Sequence, residues 1–216
     1  MTVKFIGHAC FLFTGSSGVK IIIDPYEPGG FGGAIGYGRV TDEADVVLVT
    51  HEHADHSYVT GVPGEPVVCR EACEACGITF RVVEAPHDDA EGRKRGNINM
   101  FAFELDGVRV CHAGDLGDVL TPAQVSAVGP VDVLMVPVGG TYTLSADQAW
   151  AVVQQLAPRI VIPMHYKTAK TNLPLAPLER FTNGKPHVTR TGSSTLEVNG
   201  GELGEGLRVV VLDPAN

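Results

Sequence analysis

The chain has no hydrophobic run long enough to cross a bilayer. Its apolar opening, Thr2 to Thr14, is broken by Lys4, Gly7 and His8, too short and too interrupted for a span or a signal segment. The expected setting is therefore the cytoplasm, with no membrane partner. Positive charge is also scarce. Lysine and arginine number 16 against 25 acidic residues, a formal net charge of −9. A nucleic acid held by general electrostatics is accordingly not expected. Cysteine is sparse and odd in number, five, at Cys10, Cys69, Cys73, Cys76 and Cys111. An odd set does not make a disulfide framework, and reduced thiols are the expectation. No linker or low-complexity stretch divides the 216 residues, so a single domain over 1–216 is expected.

What remains is a chain of short apolar runs. Val3–Gly7, Cys10–Thr14 and Val19–Ile23 read as strands separated by glycine. Six glycines between Gly29 and Gly38 exclude a stable helix there. Val46–Thr50, Val133–Val136 and Ile160–Met164 are continuous apolar runs, the pattern of strands buried on both faces. Val67–Cys69 and Thr79–Glu84 are further strands, with a short helix expected near Glu71–Cys76. Met100–Leu105 and Val108–His112 form a hairpin about Asp106-Gly107. Helices are expected over Thr121–Val128 and from Ser145 to about Leu156, where Ser145 with Gln148 forms a capping box and Pro158 follows. The tail, 188–212, is strand-like.

The chemistry is concentrated in His51-Glu52-His53-Ala54-Asp55-His56, directly after a buried strand. In extended chain, residues two apart point the same way, so His51 and His53 can grip one ion together. A following turn directs Asp55 and His56 to a neighbouring position. Imidazole and carboxylate suit zinc first, and also manganese, nickel or iron. Three further strand ends offer ligand-type side chains: His87 in Glu84-Ala85-Pro86-His87, Asp115 in His112-Ala113-Gly114-Asp115, and His165 in Pro163-Met164-His165-Tyr166. Each alone reads equally as an ordinary polar loop residue. Their joint placement points to a metal cage.

The pattern HEHADH, APHDD, HAGDLG and PMHY resembles the metallo-β-lactamase superfamily of hydrolases. Phe5-Ile6-Gly7-His8 with Phe11-Leu12, and Ile22-Ile23-Asp24-Pro25, resemble its small bacterial branch that includes the ascorbate-6-phosphate lactonase-like proteins. The likeness runs from about Val3 to Tyr166. It implies an α/β (α+β) fold, a four-layer αββα sandwich. It implies two divalent ions, one at His51, His53 and His87 and one at Asp55, His56 and His165, with Asp115 between them. It also implies hydrolysis by a metal-bridging hydroxide. The usual Gly-Asp-Thr-Gly turn is here Gly-Asp-Leu-Gly, at Gly114 to Gly117, which removes a hydroxyl and keeps the carboxylate.

Around this cage, Asp55 and Asp115 are candidate catalytic groups. His8 is placed either to touch the site or to serve as a hydrogen-bonded core histidine. His112 is expected to point away from Asp115. Gly139-Gly140-Thr141-Tyr142-Thr143 resembles an active-site rim, where Thr141 or Tyr142 can donate to an oxyanion. Arg93-Lys94-Arg95 could hold an anionic group, or be a solvated loop. Cys69-x3-Cys73-x2-Cys76 has an iron–sulfur-like spacing, but Cys73 and Cys76 are read as apolar fillers on one helix face. The expected function is a dinuclear metal-dependent hydrolase of a small, anionic ester, lactone or phosphoester. A nucleic-acid-processing nuclease or a metal-binding regulatory module is the alternative, and a homo-oligomer is left open.

Overall fold

The chain folds as two β-sheets packed face to face, and the computed structural model describes residues 1–216. The opening apolar runs form an antiparallel meander of β1 (Thr2–Gly7), β2 (Cys10–Thr14) and β3 (Lys20–Ile23). Side chains two apart share a face. Val3, Phe5, Phe11, Phe13, Ile21 and Ile23 therefore enter the core between the sheets. Ile6, Cys10, Leu12 and Ile22 enter a second core on the outside. β4 (Val46–Leu48) and β5 (Val67–Cys69) add in parallel, and β13 (Thr195–Glu197) closes the other edge, in the order β13-β1-β2-β3-β4-β5.

The second sheet begins antiparallel, with β6 (Cys73–Ala75), β7 (Ile78–Pro86), β8 (Asn97–Leu105) and β9 (Val108–His112). It continues in parallel through β10 (Val133–Pro137), β11 (Ile160–Met164), β14 (Arg208–Val211) and the edge strand β12 (Val188–Arg190). Its inner face carries Phe80, Phe101, Phe103, Met135 and Ile162 against the first sheet, with Phe13 edge-on to Phe103 at 5.4 Å. Burying such a side chain contributes roughly 1.5–3 kcal/mol, so this aromatic layer is what holds the sheets together.

Outside the second sheet lie α2 (Pro122–Val128), α3 (Ala146–Leu156) and the single turn α4 (Glu179–Thr182). Both longer helices start with a complete capping box, Thr121 with Gln124 and Ser145 with Gln148. Outside the first sheet the layer is mostly irregular chain, supplying Tyr26, Ile35, Tyr37, Val40 and Val62. Its α1 (Gly30–Gly33) is one turn in which Phe31 (φ 52) and Gly32 (φ 66) are left-handed. The helices thus cover the second sheet, while the outer layer on the first is irregular chain with a single turn of helix. No helix is long and apolar enough to cross a membrane.

Two expectations are overturned at one place. The segment near Glu71–Cys76 is a hairpin and no helix: Cys76 (φ 52) and Gly77 (φ 74) supply the two left-handed residues of its turn, and Cys73–Ala75 pairs with Ile78–Phe80. Cys69 and Cys73 are joined in a disulfide, leaving Cys10, Cys76 and Cys111 free. Cys69 ends an edge strand of one sheet and Cys73 begins an edge strand of the other, so the short link between them brings the two sulfurs together. The earlier placement of Cys73 and Cys76 on one helix face fails for the same reason.

Candidate metal centre

The C-terminal ends of the parallel strands, and the ends of β1 and β7, converge on one side of the sandwich. β3 ends at Asp24, β4 leads to Thr50 and His51, β7 to His87, β9 to Asp115, β10 to Gly139 and β11 to His165. Three of the residues there, His8 (φ 58), Asp24 (φ 52) and His165 (φ 52), hold left-handed backbones that L residues rarely adopt. Such strain persists only where the surroundings over-determine it, and it clusters at functional sites. His165 N–H donates to the His8 carbonyl at 2.9 Å, tying two of the three together.

Hydrogen bonding sets which ring nitrogen of each histidine is left bare. Thr50 donates its N–H and its hydroxyl to Asp24 at 2.8 and 2.7 Å. Its oxygen is then free to accept from His51 Nδ1, 3.0 Å away, which leaves His51 Nε2 with an open lone pair. His56 Nδ1 donates to Asp24 Oδ2 at 2.8 Å, so His56 Nε2 is the bare nitrogen. One fully buried carboxylate, Asp24, thereby orients two histidines. Asp24 is held ionised: burial opposes its charge, but His56, by its charge and its hydrogen bond, overcomes that. His112 spends both nitrogens on backbone, Nε2 donating to the Ala9 carbonyl at 2.9 Å and Nδ1 accepting from Gly114 N–H at 3.2 Å. It is turned away from the cluster, as its position on the strand end suggested.

The bare atoms gather in three overlapping groups: His51, His53 and His87; His8, Asp55, His56 and His165; and His51, His56 and Asp115. His51 Nε2 lies 2.9 Å from His53 Nδ1, which lies 3.2 Å from His87 Nε2. Those separations approach the roughly 3.3 Å edge of a tetrahedron around an ion with 2.0–2.1 Å bonds. Asp115 places Oδ1 3.2 Å from His56 Nε2, and Oδ2 3.3 Å from His165 Nε2 and 3.6 Å from His87 Nε2. Thus all seven residues expected to be ligands meet here, and Asp115 touches members of both sides.

The donor set fits divalent cations. His56 Nε2 and Asp115 Oδ1 are buried with only each other in reach, 3.2 Å apart and without a well-formed hydrogen bond, and buried polar atoms so poorly satisfied are costly. Burial lowers His51 to about 3, with His56 adding to the effect, so its ring is neutral, the form that binds metal. Burial, reinforced by His165, likewise lowers His8 to about 4. Neutral His8 donates Nε2–H to Asp55 Oδ2 at 2.9 Å. His8 is therefore the partner that aims Asp55.

At the rim, the structure redistributes the expected roles. Thr141 donates its hydroxyl to the Pro174 carbonyl at 2.7 Å, so it is committed elsewhere. Tyr142 lines the cleft, with the Arg95 guanidinium 5.2 Å from its ring centre. The run Arg93-Lys94-Arg95 does not act as a unit. Arg93 pairs with Glu91 and Lys94 with Asp89, both in solvent, and only Arg95 reaches the cleft. Successive residues on a turn simply point in different directions.

Several contributors lie inside the quoted motifs, but the sequence assigned them no role of their own. Asp24 stood only as part of Ile22-Ile23-Asp24-Pro25. Asp88 accepts four backbone N–H groups, from Ala90, Gly92, Lys94 and Arg95, and so ties the loop after His87 into a knot. Two glycines act by being small: a Cβ at Gly117 would strike the His87–Asp88 backbone, and one at Gly139 would land on the His165 carbonyl. Gly139→Ala is expected to push His165 out of line, lowering both bound metal and turnover by roughly tenfold, since small misplacements at a reacting centre cost that much or more. Metal analysis beside a rate assay checks it; normal values for both would show that the strand ends yield freely.

A model of the Beta-lactamase superfamily domain matches residues 2–165. A UPF0173 metal-dependent hydrolase of Thermococcus kodakarensis is 34% identical over 195 residues, covering 77% of this chain and 84% of its own length. One from Pyrococcus abyssi is 32% identical over 193 residues, with the same coverage of 77% and 84%. Among solved structures, a protein of Thermotoga maritima assigned to the Zn-dependent hydrolases of the metallo-β-lactamase superfamily superposes with a TM-score of 0.78 at 38% identity. That match covers 98% of this chain and 97% of the other.

Proposed function

Since the chain belongs to the β-lactamase superfamily and is a metal-dependent hydrolase, we propose that it works with two divalent ions, zinc by preference, on a small anionic ester, lactone or phosphoester. The observation that carries this is the sharing of ligand atoms: His51 and His56 each belong to two groups, and Asp115 contacts both sides. One ion would be held by His51, His53 and His87, a second by Asp55, His56 and His165, with Asp115 serving both. Two bound ions supply an acidified water and polarise the substrate oxygen.

The chain's own residues do the rest. Asp24 fixes the rings of His51 and His56 so that neither reorganises during turnover. His8 holds the Asp55 oxygen that faces His56 and His165, and so fixes how that carboxylate is presented to the ions and the attacking water. Tyr142 faces the cleft and offers a phenolic O–H to the negative charge that develops on the substrate. Small anions are favoured because the acidic surface repels polyanions while the cleft concentrates cations.

The test is metal content together with turnover of ester, lactone and phosphodiester panels. Two equivalents of metal per chain, and hydrolysis that stops on chelation and returns with zinc, are expected. A single ion with full activity would remove the dinuclear part. Robust cleavage of DNA or RNA in preference to every small substrate would overturn the substrate class.

A further inference from the structure

The cleft beside the cluster is about 420 Å³ and has two unlike walls. One is cationic and rigid. Arg95 has its backbone N–H bound to buried Asp88 at 2.7 Å, its guanidinium against Tyr142, and no ion pair of its own, unlike its neighbours Arg93 and Lys94. The other wall is apolar: Phe31, Ala34 and Leu173. It is built from two segments laced together, Ile35 bridging to Thr171, Asn172 N–H donating to the Ala34 carbonyl at 2.8 Å and Gly36 N–H to Lys170 at 2.7 Å. At its tip Phe31 is held in a left-handed backbone and remains 54% exposed. A large aromatic carried on a strained turn, beside a cleft and outside any core, is poised to cover a ligand.

We propose that this cleft selects a monoanionic, amphiphilic substrate: a carboxylated ester or lactone whose carboxylate sits on Arg95 while its hydrocarbon part lies against Phe31 and Leu173. The inference rests on reading the cleft as a hydrolase site and deepens it. A single unpaired guanidinium presents the fork that a carboxylate accepts in two bonds. Apart from the metal cluster, no second lysine or arginine lines the cleft, so the charge that recognises the substrate away from the reacting centre is single. The apolar wall gives affinity only to ligands with several methylenes, because affinity there grows with the apolar surface removed from water.

Unreactive probes separate this from catalysis. Hexanoate, acetate, hexanamide and inorganic phosphate would be titrated calorimetrically into the full chain, metal-loaded and chelated. Hexanoate is expected to bind at least about tenfold more tightly than the other three in the chelated protein, the scale of one charge-assisted hydrogen bond. Arg95→Gln should remove that advantage over hexanamide, Phe31→Ala the advantage over acetate, and Arg93→Ala neither. Equal binding of acetate and hexanoate would overturn the proposal, as would hexanoate binding that requires metal and ignores Arg95→Gln, or no binding at all. If these preferences hold while no ester, lactone or phosphodiester is turned over, the hydrolase reading falls and the selectivity stands.

Discussion

Asp115→Asn is expected to lower kcat/KM by at least about a hundredfold, the scale of losing one key electrostatic group, and to leave the protein with fewer than two ions. The side chain keeps its shape, so what is lost is charge. Asp115 is buried, 3% exposed, with one oxygen 3.2 Å from His56 and the other 3.3 Å from His165 and 3.6 Å from His87. Burial opposes its ionisation, yet His165 and His56 overcome this and hold the carboxyl well below the usual carboxylate range. An amide there offers one weaker acceptor and an N–H donor that faces cations. The measurement is bound metal by elemental analysis beside steady-state rates. Two retained ions with parental kinetics would refute the shared role of Asp115. Two retained ions with a slow rate would keep its catalytic part and remove its structural one.

The contrast between Asp115 and Asp24 shows what a sequence makes legible. Asp115, His87 and His165 each follow an apolar strand whose direction is readable, and strand C-termini gather on one side of a parallel array. His51 to His56 announce themselves by density. Local signals also carried the helix from Thr121, the capping box at Ser145 and the Asp106-Gly107 hairpin, because caps and two-residue turns are decided within four residues. Asp24 acts through Thr50 and His56, 26 and 32 residues away. Gly117 and Gly139 act through space that only the assembled backbone defines.

The Cys73–Cys76 segment failed in the opposite way. Its alternation is too short to separate helix from strand, and pairing with β7 decided the matter. The disulfide followed from that pairing, because it spans edge strands of two different sheets.

Removing the metals is expected to lower the melting temperature, and by more at pH 8.5 than at pH 6.5. An ion present at a thousandfold its Kd contributes about 4 kcal/mol to the folded state. A chain of this length then melts roughly 8–16 °C lower without it. The pH dependence comes from His56. It faces Asp24 at 2.8 Å, Asp115 at 3.2 Å and Asp55 at 3.6 Å, and packs near the rings of His51, His8 and His165. Burial disfavours its charge, but Asp115, Asp55 and Asp24 outweigh it and raise its pKa well above 6.5.

In the metal-free protein His56 is thus protonated, and its folded-state pKa exceeds its unfolded one. The stability this contributes is complete below the unfolded value near 6.5 and declines as pH rises toward the folded value, by at most about 1.4 kcal/mol per pH unit. His51 and His8 are shifted down, so their unfavourable contribution lies below pH 6.5 and is largely over within this window. A metal at His56 Nε2 replaces that proton. The loaded protein therefore lacks the decline, and its metal binds more tightly as pH rises. Melting curves with saturating zinc and with chelator, at pH 6.5, 7.5 and 8.5, should separate progressively. Parallel curves across those three values would mean that His56 is not the site of exchange between proton and metal.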